Sequence, residues 1–275
     1  MFYTLFCNAA KKCNVVLLGL CQMPDHIHAI VQAKSKTQLS AFVRRYSSEF
    51  AREFNFSTGH IGAVFEHNFG YAVKFGAKKI RTALAYLYNN PVERKLSQKA
   101  EEYRWNYLAY SGNNRPFSES YVLASSSRPF RNAVKIVEGI FKRGAYLRCA
   151  TLDHLFDTLN SIEKNQLVDK IVSLWSAVDY DLLISFFGSY SNVITAFASN
   201  TGSEYDIAET FEAQSDQVYN KMSALLVREG WVKRPREVIN TDTDRKFELL
   251  SRLQKTFNAT PRQYAKFLHL KLNLT

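Results

Sequence analysis

The sequence predicts an α+β domain followed by a mainly α-helical one, and three observations predict it. An apolar run, Val15-Val16-Leu17-Leu18-Gly19-Leu20-Cys21, and an alternating run from His26 to Val31 flank a bend at Pro24-Asp25, the pattern of two adjacent strands. A stripe at helical spacing follows them: Ile80, Ala83, Leu84 and Leu87. Beyond residue 130 apolar residues recur at three- and four-residue intervals, and no strand run stands out.

The second strand carries the chemistry. Side chains alternate between the faces of a strand, so His26, His28 and Ile30 share one face and Ile27, Ala29 and Val31 the other. Two imidazoles side by side on a rigid strand can supply half of a divalent-metal site. The spacing also serves a structural pair, each ring hydrogen-bonded at the edge of a core. The four cysteines, Cys7, Cys13, Cys21 and Cys149, show no Cys-x-x-Cys spacing, which argues against a closed zinc site.

The helix that opens at Lys78 should end about Asn90, because Pro91 disfavours helical geometry in the residue before it. At ~100° per residue, Tyr86 and Asn90 fall on one flank of the apolar stripe and Tyr88 on the opposite flank. Residues four apart have neighbouring Cβ atoms, about 5–6 Å apart, so a phenol and an amide here can address one point in space. Lys79 lies on the same flank two turns earlier. A half-buried tyrosine and a helix-terminal asparagine with no shared task fit the spacing too.

Together these motifs resemble the single-tyrosine HUH transposases, and within them the REP-associated tyrosine transposases. The resemblance rests on Met23-Pro24-Asp25-His26-Ile27-His28 and on Tyr86-Leu87-Tyr88-Asn89-Asn90-Pro91-Val92. The segments between agree: Leu39-Ser40-Ala41-Phe42-Val43-Arg44-Arg45-Tyr46 is similar to the family's basic helix, and Gly62-Ala63-Val64-Phe65-Glu66-His67-Asn68-Phe69 to its Gly-x-x-Phe-x-x-x-Phe segment. Tyr103-Arg104-Trp105-Asn106-Tyr107-Leu108-Ala109-Tyr110 is similar to its closing Tyr-x-Trp-Ser-Ser-Tyr.

The resemblance implies an antiparallel, ferredoxin-like sheet with helices on one face over residues 1–112. It implies His26 and His28 as a metal-binding pair, Asn90 as a third, polar ligand, and Tyr86 as the nucleophile. His60 and His67 are replacement ligands to consider. The implied cofactor is Mg²⁺ or Mn²⁺, and the implied partner is single-stranded or hairpin DNA, with Arg44, Arg45 and Lys79 on the DNA; a homodimer is compatible with it. The implied reaction is cleavage and rejoining of single-stranded DNA through a 5′-phosphotyrosine. One departure stands out. Family members usually begin with a strand and then a helix, whereas Met1-Phe2-Tyr3-Thr4-Leu5-Phe6 reads as the tail of that helix or as a short strand. A truncated start, a strand replaced from elsewhere and a decayed copy stay open. The second function to weigh is therefore a nucleic-acid-binding protein of the same descent that has lost its active geometry.

Composition agrees with a DNA partner. The chain of 275 residues has a net charge of +11, unevenly spread. Residues 1–112 carry +8, 113–150 carry +5, 151–219 carry −9 and 220–275 carry +7. Two basic regions around an acidic one suggest two surfaces for phosphate backbone. No apolar stretch is long enough to span a bilayer, and the N-terminus lacks the pattern of a secretory signal. Few, unpatterned cysteines suit a reducing cytoplasm.

Residues 113–131 are rich in turn formers and read as a linker, with a helical, DNA-binding-like domain over 132–275. Helices are expected over Phe130–Arg143 and Ile162–Val178, with one or two over Asp206–Glu229 closed by Gly230. The last segment reads as a helix over Asp244–Phe257, a tight link, and a second helix after the Thr260-Pro261 start. This pair resembles a helix-turn-helix reader, with Arg262, Gln263 and Lys266 near the start of the second helix, residue types suited to bases and phosphates. An ordinary helical hairpin with a basic face fits as well. Removing residues 240–275 should lower affinity for duplex or hairpin DNA, but the metal ligands and the tyrosine lie in the first domain, so cleavage of a short single strand at high concentration should survive.

Overall fold

The computed structural model describes residues 1–65, 69–198 and 217–270. The chain opens on helix α1 (Phe2–Lys12), buried from Phe2 to Ala10. Strands β1 (Val16–Gln22) and β2 (Ile27–Gln32) follow and pair antiparallel, with Cys21 opposite His28 and Val16 opposite Gln32. The Pro24-Asp25 bend between them is closed by the Met23 N–H donating to the His26 carbonyl at 2.9 Å. A bulge at Leu18-Gly19 breaks the alternation of β1, so Leu17 and Leu20 pack in one core while Leu18 and Cys21 pack in another. Gly19 permits a close approach here: a Cβ on it would meet Tyr88 Oη at 3.2 Å and Leu87 Cδ2 at 3.3 Å.

Helix α2 (Lys36–Thr58) starts on the Ser35 hydroxyl, which accepts from the Gln38 N–H at 3.1 Å, and stops at Gly59, whose φ of 65° only glycine adopts without strain. Helix α3 (Ala77–Glu93) supplies the predicted stripe. The two helices take opposite sides of the hairpin. Ile27 and Val31 pack with α1 and with Phe42 and Tyr46 of α2, whereas Ile30 packs with Leu84, Leu87 and Tyr88 of α3. The sheet is thus covered on both faces, not on one as expected. Helix α3 also runs past its expected end, through Pro91 to Glu93. Proline in a last turn removes only one intrahelical hydrogen bond, and the buried face of Leu84, Leu87 and Tyr88 outweighs that loss.

The described sheet has two strands, not the ferredoxin-like set that the resemblance implies. No strand precedes α1 among the described residues, because Phe2 to Lys12 is already helix. The free edge of β1 is nevertheless paired. Val178 forms a parallel bridge with Leu17, and the Asp179 N–H donates to the Leu17 carbonyl at 2.8 Å.

Val178 belongs to the helical part of the chain: α4 (Arg128–Lys142), α5 (Cys149–Asp157), α6 (Ser161–Trp175), α7 (Tyr180–Ser185) and α8 (Tyr190–Ala198). Phe130, Val134 and Val137 of α4 and Leu167, Ile171 and Val172 of α6 share one core with Phe6 of α1 and Leu17 of β1. Phe197 of α8 stacks on Tyr88, ring centroids 5.1 Å apart. The stretch read as a linker therefore joins elements that share a core. The carboxylate of Asp169 on α6, fully buried, fastens that stretch. It accepts from Tyr110 Oη at 2.7 Å, the Phe117 N–H at 3.0 Å and Ser118 Oγ at 2.8 Å, with Arg104 3.4 Å away.

The rest forms a separate cluster. Helices α9 (Gln217–Arg228), α10 (Thr243–Thr256) and α11 (Pro261–Leu268) enclose Met222, Leu226, Leu249, Leu253 and Leu268. The C-terminal pair thus forms where the sequence predicts it; of the expected Asp206–Glu229 helices, residues before 217 lie outside the described residues. Ion pairs tie this cluster to α5: Arg234 to Asp157 at 2.5 Å, and Arg236 to Asp153. Part of the basic tail is thus neutralised by the acidic segment.

Removing the Asp169 carboxylate strands three donors and a cation in a dry site. Asp169→Ala should lower stability by about 3–5 kcal/mol in urea unfolding. A loss under about 0.5 kcal/mol, the range of ordinary surface changes, would contradict this packing.

Candidate active site

Strand β2 and helix α3 bring the predicted residues together. His26 and His28 face α3, as alternation requires, and their Nε2 atoms lie 3.0 Å apart. The rings are perpendicular, with centroids 4.7 Å apart. From α3, the Asn90 amide reaches His28 Nε2 at 3.0 Å. Asn90 is buried, and its Oδ1 has no hydrogen-bond partner among the described residues. Such an atom costs about 1–3 kcal/mol unless something occupies the space beside it. One turn earlier, the half-buried Tyr86 ring sits edge-on to His28, centroids 5.6 Å apart.

Two further residues support this group. Asp25 Oδ1 accepts from His26 Nδ1 at 2.6 Å, which leaves Nε2 as the atom turned to His28. Asp25 Oδ2 accepts from Lys266 Nζ, on α11, at 2.7 Å. Burial would raise the Asp25 carboxyl, but hydrogen bonds from His26 and Lys266 outweigh it and hold it well below the usual carboxylate range. Sequence reasoning took Asp25 only as a bend residue, although an acid adjoining a candidate ligand is a visible signal. Nothing in the sequence pairs it with a lysine 241 positions away.

Over residues 1–90 the chain matches the family model described as "Transposase IS200 like". That segment is similar to the IS200-like transposase family. The match takes in His26, His28, Tyr86 and Asn90 and ends on the last of them. No curated protein and no solved structure matches the chain.

The IS200-like segment and the C-terminal cluster line one open cleft of about 3030 Å³, with His26, His28 and Tyr86 in its wall. Arg44, Lys79, Arg262 and Lys266 line it too, all four exposed. Arg45 does not line it and pairs with Glu49 at 3.4 Å along α2. Gln263 is buried in the start of α11, where Thr260 and Gln263 cap each other, so its amide is engaged within the turn. Exposed aromatic rings, Phe65, Phe69, Tyr71 and Phe75, line the cleft between α2 and α3. His60 packs on Phe54, centroids 6.0 Å apart, away from the histidine pair, and His67 lies outside the described residues. Among the described residues no group of three His, Cys, Asp or Glu side chains could hold a metal, so a third protein donor beside the two histidines would be the Asn90 amide. No helix among them is long and apolar enough to cross a membrane.

Tyr88 and Tyr107 are fully buried, and burial raises both phenols well above the ordinary tyrosine value. Tyr88 Oη donates to the Leu18 carbonyl at 3.3 Å, and the Tyr107 ring stacks on Tyr3 at 3.9 Å. Nitration followed by peptide mapping should therefore modify Tyr86 while Tyr88 and Tyr107 stay intact in the folded chain. Equal labelling of Tyr86 and Tyr88 would contradict the assignment of α3's two flanks.

Proposed function

We propose that this protein is a transposase that cleaves and rejoins single-stranded DNA, including DNA that bears a hairpin, using Tyr86 as nucleophile. The observation that carries the reading is the convergence of four side chains from one arm of the hairpin and α3: His26, His28 and Tyr86 line a basic cleft, and Asn90 is buried beside His28. His28 comes from the strand and His26 from the residue just before it, and Tyr86 and Asn90 come from one helical flank. A decayed binding protein would be expected to have dispersed them.

Mg²⁺ or Mn²⁺ fits the donors. Two ligands at about 2.1 Å from an octahedral ion lie roughly 3.0 Å apart when adjacent, and the two Nε2 atoms are 3.0 Å apart. A primary amide rotates end for end at almost no steric cost, so the partnerless Asn90 Oδ1 can replace Nδ2 beside His28. When bound, such an ion neutralises charge on a phosphate oxygen. The chain's own residues do the rest. The Tyr86 phenolic oxygen bonds to phosphorus as its proton passes to solvent and the bond from phosphorus to the 3′-oxygen breaks. The 5′ end becomes a phosphotyrosine and the departing 3′-oxygen takes up a proton. One phosphoester replaces another, so a 3′-hydroxyl can reverse the step without ATP. Arg44, Lys79 and Arg262 attract the phosphate backbone, and the exposed rings from Phe65 to Phe75 suit stacking of unpaired bases.

Incubation with single-stranded DNA from the flanks of the gene, plus Mn²⁺, tests this. A covalent adduct should survive denaturation. Tyr86→Phe should abolish it and leave DNA affinity within about twofold, since a lone hydroxyl contributes little to backbone binding. Tyr88→Phe should still form it. An adduct in Tyr86→Phe sinks the assignment. For the metal, replacing both His26 and His28 by alanine should weaken Mn²⁺ binding by more than about tenfold with the fold retained. Asn90→Ala should do less, because water can replace an amide. Undiminished binding in the double variant would remove the site.

A further inference from the structure

The C-terminal helix α11 reaches the histidine pair across the cleft. Its start is rigid: Thr260 and Gln263 cap each other, Tyr264 Oη donates to the Phe257 carbonyl, and Tyr264 and Leu268 are buried against α10. Lys266 therefore projects from a fixed platform. Its partner Asp25 holds two contacts at once, Lys266 at 2.7 Å through one oxygen and His26 at 2.6 Å through the other. An ion pair whose side chains are 40% and 23% exposed contributes little to fold stability. What it does is select one carboxylate orientation. A carboxylate on Nδ1 fixes both the plane of an imidazole and which nitrogen faces the other way. Without it, the His26 ring could carry its proton on Nε2 and donate it to His28 Nε2, 3.0 Å away. A proton there would compete with the Asn90 amide for His28 Nε2 and leave His26 no lone pair on the side that faces His28.

We infer that Lys266 is a positioning residue of the histidine pair: through Asp25 it sets which nitrogen of His26 faces His28, so that α11 completes a site otherwise built by the IS200-like segment. The importance for metal binding rests on the proposed function; the effect on His26 does not. Cleavage should then depend on the last two helices, contrary to the expectation from sequence that residues 240–275 are dispensable for it.

The test uses the full chain labelled with ¹⁵N-histidine and metal-free. In the parent protein the His26 ring should show a protonated Nδ1 and a bare Nε2. In Lys266→Met the two ring-nitrogen signals should move towards each other as a second tautomer gains population. Lys266→Arg should restore them, and Asp25→Asn should reproduce the displacement with Lys266 intact. Titration with Mn²⁺ alone should show affinity about tenfold weaker in Lys266→Met, the usual effect of losing a residue that orients a ligand. Ring-nitrogen spectra of Lys266→Met that superimpose on the parent's overturn the inference. A parent protein that binds no Mn²⁺, with the His26 signals still displaced in Lys266→Met, keeps the positioning role and removes the metal reading instead.

Discussion

Strand β1 has two apolar faces and two polar edges, and a two-stranded sheet satisfies only one edge. A hairpin of this kind is marginal in water without further cover. The remaining faces and edge explain most of the architecture. Helices α1 and α2 close one face, and α3 closes the other. Val178 and Asp179 take the open edge, which otherwise would present unpaired N–H and C=O groups. That edge contact draws α6 and α7 onto the strand. The helical region up to α8 is therefore packed into the same cores as the hairpin.

The same constraint sets the site. The Leu18-Gly19 bulge turns both residues towards α3, and the missing side chain of Gly19 lets Tyr88 and Leu87 settle against the backbone. Tyr88 is locked further by Leu18 on one side and Phe197 on the other. A helix seated this firmly on one flank has its other flank fixed in rotation. Tyr86 and Asn90 then face His28 from across the hairpin. The two tyrosines differ in surroundings: Tyr88 is buried and orients the helix, and Tyr86 stays partly exposed in the cleft wall.

Much of this was legible in the chain, and the physical reasons are plain. The hairpin, the sharing of a face by His26 and His28, and the sharing of a flank by Tyr86 and Asn90 follow from strict local periodicities of two and 3.6 residues. The cap at Thr260-Pro261 is equally local, and the helix pair it predicts is there. What failed was long-range. The second covered face depends on where α3 lands after residues 59–76, which have no period to read. The short helices α5, α7 and α8 owe their place to packing against distant elements more than to their own pattern. Pro91 gave a correct local signal that buried packing overrode. Gln263 shows the opposite case: residue type suggested a base reader, while its position three after the cap made it part of the turn.

Charge illustrates the same limit. Net charge by segment suggested two basic surfaces separated by an acidic body. In three dimensions some of those charges meet: Asp153 and Asp157 hold Arg236 and Arg234, and Asp25 holds Lys266. Segment totals therefore overstate the field available to a phosphate backbone. The residues left to act on it are those that line the cleft without such partners in α5, Arg44 and Lys79 among them. These lie on α2 and α3, which flank the histidine pair. In the proposed reaction, a backbone held along them would pass Tyr86 in the same cleft. By contrast, of the two basic residues that α11 offers the cleft, Arg262 and Lys266, the second is already committed to Asp25. Its contribution through Lys266 is to fix the geometry of the centre, beside whatever Arg262 adds to the basic wall of the cleft.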